Sequence, residues 1–309
     1  MRPGNWTPNC LWKHAARILY PMGEDRNGDK GGRPVRRPAE KGRAEKGRAG
    51  KARSAGSAPR RSGPDRARRA QPRPPADAPS SDGKEAPRQP SGPAIPATVE
   101  ARQLAADVRA ELSTLDRATA DTVARHLVAA GELLDEDPVA ALAHAQAART
   151  RSGRIAAIRE AVGIAAYHCG DWAQALSEFR AARRMGSKSQ LLPLIADCER
   201  GVGRPERAIE LARSPEAAQL AGDDADEMRI VAAGARMDLG QLDQALAVLS
   251  SPAPDPSRTG STAARLFYAY AETLLALDRP ADALQWFMYS AAADLDGVTD
   301  AEDRIDELA

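Results

Sequence analysis

In this 309-residue chain the side chains best suited to hold a metal are His126, His144, His168 and Cys169. Metal modules draw their ligands from short, fixed spacings, because one turn or loop must aim them at a single point. Here the histidines stand 18 and 24 residues apart and fall on different helices. They read as surface or inter-helix histidines, with no metal and no cofactor. The run Asp294-Leu295-Asp296-Gly297 has the look of a calcium loop. Aligning Gly297 with that loop's invariant glycine puts Ala292 at the first ligand and Asp303 where a bidentate glutamate belongs, so a helix-capping turn is the better reading. No nucleophile elbow, paired-histidine zinc helix, phosphate loop or dinucleotide fingerprint occurs. The chain reads as a protein that is not an enzyme.

The remaining chemistry-bearing residues are arginines. Residues 1–95 hold 22 Lys+Arg against 9 Asp+Glu, a balance of +13; residues 96–309 hold 22 against 34, a balance of −12. The overall charge of +1 is therefore a cancellation. Residues 39–53 read AEKGR, AEKGR, AGKAR, a low-complexity period with glycine where a helix would suffer. Between Gly23 and Ala94 the only large apolar side chain is Val35, too little to offset the roughly 1 to 2 kcal/mol per residue of ordering entropy. Residues 1–97 are thus expected to be a disordered basic arm and Pro-rich linker. Arg36, Arg37, Arg43, Arg48, Arg60, Arg61, Arg68 and Arg69 are its candidates for nucleic-acid phosphates, because such a tract gains affinity by releasing condensed counterions. The arm has no aromatic residue from Gly23 onward on which a base could stack, so sequence-selective recognition is not expected, and a solubilising tail is the plainer alternative.

Cys10, Cys169 and Cys198 form no paired spacing and leave an odd count, which suits a reducing cytoplasm. Residues 11–20 are interrupted by Lys13, His14 and Arg17, and no window approaches the roughly 20 apolar residues of a spanning helix, so neither secretion nor a membrane partner is expected. Met22 reads as a second plausible start, which leaves open whether residues 1–21 belong to the native chain.

Past Pro96 the pattern changes to apolar residues at three and four spacing, punctuated every 15 to 20 residues by Gly or Asp-Pro. Residues 98–309 therefore predict an all-α body. Its clearest unit runs from Arg159 to Met185, with Gly163 and Ala175 12 apart, a Gly170-Asp171-Trp172 turn, then Phe179 and Ala182. Equivalent alanines recur at Ala141, Ala175, Ala208, Ala245 and Ala283, in steps of 34, 33, 37 and 38. Extra residues around 214–224 and 251–260 account for the longer steps. The turns are Asp135-Glu136-Asp137-Pro138, Gly170-Asp171-Trp172, Gly203-Arg204-Pro205, Gly240-Gln241-Leu242 and Asp278-Arg279-Pro280.

This unit resembles a tetratricopeptide repeat: a small residue in mid helix A, a glycine-containing turn, then alanine and an aromatic on helix B, at a period near 34 residues. The resemblance implies a right-handed superhelical solenoid of about five helix pairs, a protein-interaction scaffold binding a peptide or helix in its groove. Leu104, Val108 and Leu112 would pack on the first pair, and residues 299–308 would cap the last. The sequence departs from the pattern with Ala129, Ala196, Ala233 and Ala271 for the helix A glycine, and with Ala145, Ala212 and Leu249 for the aromatic.

The family's groove positions fall here on His126, Glu160, Ile164, Tyr167, Asp197, Arg200, Glu227, Met237, Arg265, Tyr268 and Glu272. Tyr167 and Tyr268 would be the anchors, large in contact area and low in entropy cost, or else would pack between neighbouring units. The carboxylates would favour a basic or amphipathic ligand. The family's carboxylate clamp needs Lys, Arg and Asn where this chain has His126, Ala130, Glu160 and Ile164, so capture of a chaperone tail is not expected. A nucleic-acid-associated protein using the basic arm is the alternative function.

Overall fold

The computed structural model describes residues 92–187 and 190–309. The basic arm lies outside these residues. The described chain is all-α, with twelve helices: α1 (Ala106–Leu112), α2 (Arg117–Leu133), α3 (Pro138–Arg151), α4 (Ala156–His168), α5 (Trp172–Arg184), α6 (Leu192–Gly201), α7 (Pro205–Ala212), α8 (Asp223–Asp238), α9 (Leu242–Leu249), α10 (Ser261–Ala276), α11 (Pro280–Ala293) and α12 (Ala301–Leu308). From α2 to α11 they form five antiparallel pairs in chain order, and each second helix also packs on the first helix of the next pair. Among the described residues no helix is long and apolar enough to cross a membrane.

Short-range chemistry sets the helix ends. Asp116, Asp137 and Asp171 cap α2, α3 and α5 by accepting from the amides of Thr119, Ala140 and Gln174 at 2.9 to 3.0 Å, which satisfies an otherwise orphaned donor. Pro138, Pro205 and Pro280 stand in the first turns of α3, α7 and α11, where a missing N–H costs nothing. The turns inside the last four pairs share one geometry. Gly170, Gly203, Gly240 and Asp278 hold positive φ of 71°, 77°, 69° and 59°. The next residue in each case, Asp171, Arg204, Gln241 or Arg279, donates its N–H to the carbonyl five residues back, at 2.8 to 3.0 Å. This left-handed cap closes the last carbonyls of a helix and turns the chain sharply. The four bonds recur at steps of 33, 37 and 38 residues, the same steps as the alanines.

Those alanines sit where the paired helices cross. Ala141, Ala175, Ala208, Ala245 and Ala283 are all 0% exposed, and a larger side chain at any of them would push two axes apart. Gly163 does the same from the facing helix. A Cβ built there would lie 2.6 and 2.7 Å from ring carbons of Phe179, which is itself fully buried. Two more first-helix glycines accept large neighbours from the adjoining pair: Gly201 lies under the Trp172 indole and Gly234 under the Arg200 guanidinium.

The ends and the insertions are tied down individually. Leu104, Val108 and Leu112 are buried with Val99 against the first pair, and Arg125 Nε donates to Val99 O at 3.0 Å. Chain is seated as early as Gly92, whose Cβ position lies against Ala147. The first insertion carries a short 3-10 turn, Ala217–Gln219. Arg229 gathers the second insertion by donating to the carbonyls of Leu249 and Pro252. Gly260 then donates to Ala293 O at 2.9 Å. The Asp294 run is a turn closed by its own side chain, whose carboxylate accepts from the amides of Val298 and Thr299 at 2.9 and 2.7 Å. α12 covers the last pair through Ala301, Ile305 and Leu308.

Candidate functional site

All eleven groove candidates fall on the first helices of the five pairs: His126 on α2, Glu160, Ile164 and Tyr167 on α4, Asp197 and Arg200 on α6, Glu227 and Met237 on α8, and Arg265, Tyr268 and Glu272 on α10. Helix periodicity then sorts them. His126, Glu160, Ile164, Tyr167, Asp197, Glu227 and Arg265 are buried, while Arg200, Met237, Tyr268 and Glu272 are half-buried.

Several of them join one first helix to the next. The Tyr167 hydroxyl donates to Asp197 Oδ2. Arg200 Nη1 donates to Asp197 Oδ1 at 2.8 Å, and Arg200 Nε reaches Asp238 Oδ2 on α8, also at 2.8 Å. Farther along, Arg265 pairs with Glu227, and the Thr273 hydroxyl lies 3.3 Å from the Met237 sulfur. Glu272 accepts from Arg304 Nε on α12 at 3.0 Å. The result is a polar strip that stitches α4 to α6, α6 to α8, α8 to α10 and α10 to α12.

Burial shapes the charges in this strip. Desolvation pushes the Asp197 carboxyl up, against the Arg200 guanidinium and the Tyr167 hydroxyl, which favour its ionised form. Burial works against the Arg200 charge too, but Asp197 and Asp238 on either side hold its pKa above the ordinary value. Tyr268 is raised by burial and by its neighbours Asp300 and Glu272, so its hydroxyl stays protonated. The ring stacks edge-on to Phe287 at 5.3 Å.

Beside Trp172 the strip opens into a cleft. Trp172, Asp197, Arg200, Gly201, Gly203, Pro205 and Asp238 line a cleft of about 370 Å3. Trp172 forms one wall and meets Tyr167 edge-on at 4.9 Å; the Asp238 side chain, 40% exposed, forms the other.

Two candidates turn elsewhere. Ile164 is part of the apolar core between α4 and its neighbours. His126 faces its own partner helix, with its Nδ1 3.0 Å from Nδ1 of His144 on α3. At that distance one neutral ring donates and the other accepts, so the two histidines satisfy each other across the pair. Burial, then Arg151, His144 and Arg125, push His126 down to about 4, and burial lowers His144 as well. His168 is pushed down to about 4 by burial, and the Cys169 thiol donates to Pro138 O at 3.2 Å. Within the described residues no three His, Cys, Asp or Glu side chains gather as metal ligands would.

Trp172, Asp238, Thr273 and Arg304 belong to this strip and its cleft but were not among the positions expected from the resemblance. Their signal in the sequence was faint: a tryptophan two residues after a turn glycine, and glycines at 201 and 234 that leave room for a bulky neighbour. The candidate nucleic-acid arginines, Arg36 through Arg69, lie outside the described residues. No known protein family matches the chain, and no curated protein is significantly similar to it.

Proposed function

We propose that this protein is a cytoplasmic interaction scaffold, a right-handed superhelical solenoid of five tetratricopeptide-like helix pairs that holds a peptide or helix of a protein partner along its first-helix face. One observation carries the reading: Tyr167, Asp197, Arg200 and Asp238 form a continuous hydrogen-bonded line across three consecutive first helices. A ligand laid across the pairs meets repeated polar partners at each step, and it enters where the line surfaces between Trp172 and Asp238.

In this reading Tyr167 is a strut that fixes Asp197, while Trp172 and the half-buried Tyr268 supply aromatic contact area. Asp238, shared with Arg200 but 40% exposed, is the carboxylate that a basic or amphipathic ligand would meet. The free thiols of Cys169 and Cys198 suit a reducing compartment. In this reading the protein binds its partner and carries out no reaction on it.

A peptide array of basic, amphipathic and acidic sequences, probed with wild type and with Trp172→Ala and Asp238→Lys variants of unchanged circular dichroism, tests it. Basic and amphipathic peptides should be retained by wild type and lost in both variants. Retention of every bound peptide by both would overturn the assignment of the face.

A further inference from the structure

A second hollow lies apart from the first-helix strip, on the second helices of the stack. Between α5 and the start of α7 a hollow of about 310 Å3 is lined by Ala173, Leu176, Ser177, Arg180, Arg184 and Arg204. Beneath it sits Glu199 of α6, whose side chain is 3% exposed. Its one carboxylate serves two guanidiniums: Arg180 Nη2 donates to Oε1, and Arg204 Nε stands 3.0 Å from Oε2, close enough for ion pairing though off the hydrogen-bond direction. A carboxylate anchored in the interior thus steadies two arginines whose side chains remain 47% and 53% exposed.

Arg184 follows one turn after Arg180 on the same face of α5. It is exposed, and among the described residues no carboxylate pairs with it. Three guanidiniums therefore stand against one carboxylate at the hollow. The surroundings point the same way: residues 149–213 hold 12 Lys+Arg against 7 Asp+Glu, within a body whose balance over 96–309 is −12. A basic stretch in an otherwise acidic body makes this part of the chain the more favourable one for an anion.

We propose that this hollow is a docking site for a phosphomonoester dianion, carried either by a phosphorylated protein side chain or by a small free phosphate compound. Guanidinium forks match phosphate oxygens two at a time, and a dianion with three acceptor oxygens engages more than one of them. Arg180 and Arg204 are held in place by Glu199 before the ligand arrives, so little side-chain entropy is lost on binding. Arg184 supplies the uncompensated charge, and Ser177 offers a hydroxyl from the same helix face. A nucleic-acid phosphodiester carries a single charge per group and two acceptor oxygens free of ester bonds, a poorer match to three clustered guanidiniums.

The test is a titration of the 15N-labelled full chain at constant ionic strength with four probes: inorganic phosphate, a serine-phosphorylated peptide, its unphosphorylated twin, and single-stranded DNA of matched charge. Saturable shifts are expected at the amides of Ser177, Arg180, Arg184 and Arg204 with phosphate or phosphopeptide and not with the twin, weakened at least tenfold in Arg184→Gln. Saturation by the phosphopeptide alone assigns the site to a phosphoprotein, and saturation by free phosphate alone assigns it to a small compound. Silence at these amides, an equal response in Arg184→Gln, equal binding of the twin, or a tighter response to DNA would overturn the proposal.

Discussion

Replacing Gly163 puts the helix-pair geometry to a quantitative test. An alanine Cβ at this position would stand 2.6 and 2.7 Å from two carbons of the Phe179 ring, about 1 Å inside the 3.5 to 4.0 Å optimum for carbon pairs. The ring is 0% exposed and is enclosed by the second and neighbouring pairs, so it has no free end to swing away. Overpacking of this kind costs typically about 1 to 3 kcal/mol. Alanine's better helix propensity returns about 1 kcal/mol, so Gly163→Ala should lose up to about 2 kcal/mol. Gly163→Leu, with three more carbons to place, should lose about 3 kcal/mol or more. At roughly 2 to 4 °C per kcal/mol for a body of this size, the leucine variant should melt about 6 to 12 °C below wild type by circular dichroism. Phe179→Leu opens the same space from the other side, so the Gly163→Ala, Phe179→Leu double variant should lose less than the sum of the two single changes, with a coupling of about 0.5 kcal/mol or more. Unchanged melting of Gly163→Leu together with strict additivity in the cycle would refute the close crossing of α4 and α5.

The buried histidines make stability depend on pH: His126 is neutral in the fold with a pKa of about 4 against 6.5 unfolded, so the unfolded chain binds more protons in between. Stability from this ring is full above pH 6.5 and falls toward pH 4 by on the order of 3 kcal/mol at about 1.4 kcal/mol per unit; chemical denaturation at pH 7.5, 5.5 and 4.5 should show His126→Gln losing less than wild type over that span. Asp278→Gly should raise stability by roughly 1 kcal/mol, because a side chain is held at φ 59° where glycine carries no penalty, and an unchanged or lower melting point would count against the turn geometry. Tyr167→Phe keeps the ring against Trp172 but strips Asp197 of a donor, a loss of about 1 to 3 kcal/mol that thermal denaturation would detect. A cost below about 0.5 kcal/mol would show that the bond between α4 and α6 contributes nothing to the stack.

The parts of this fold that the sequence revealed are those governed by neighbours within one turn. Asp137-Pro138, the turn glycines and the five spaced alanines obey local rules, and the structure places each where those rules require. The insertions were visible as irregular steps between the alanines, although the shape each one takes was not. The strip is different in kind. Tyr167 meets Asp197 at a separation of 30 residues, and Arg200 meets Asp238 at 38. Helical periodicity tells which face a side chain leaves from and is silent about which partner waits a repeat away. His126 shows the limit most sharply: the groove position implied by the resemblance belongs to a ring that turns toward α3 and is completed by His144. The hollow over Glu199 was hidden for the same reason, since α5, α6 and α7 each contribute only part of it.

The two insertions in this body share one of its two rims. The turns within the last four pairs close with the same left-handed cap, whereas both insertions fall in connections between a second helix and the following first helix, 213–222 and 250–260. Material can therefore be added along one edge without moving the α4/α5-type crossings or the cap that sets each pair's angle. The tight rim acts as the ruler of the stack and the loose rim as its margin for growth. A reporter peptide or fluorophore loop spliced near Asp255 should leave the spacing of the first helices intact, while the same splice at Gly203 would change the angle of everything downstream.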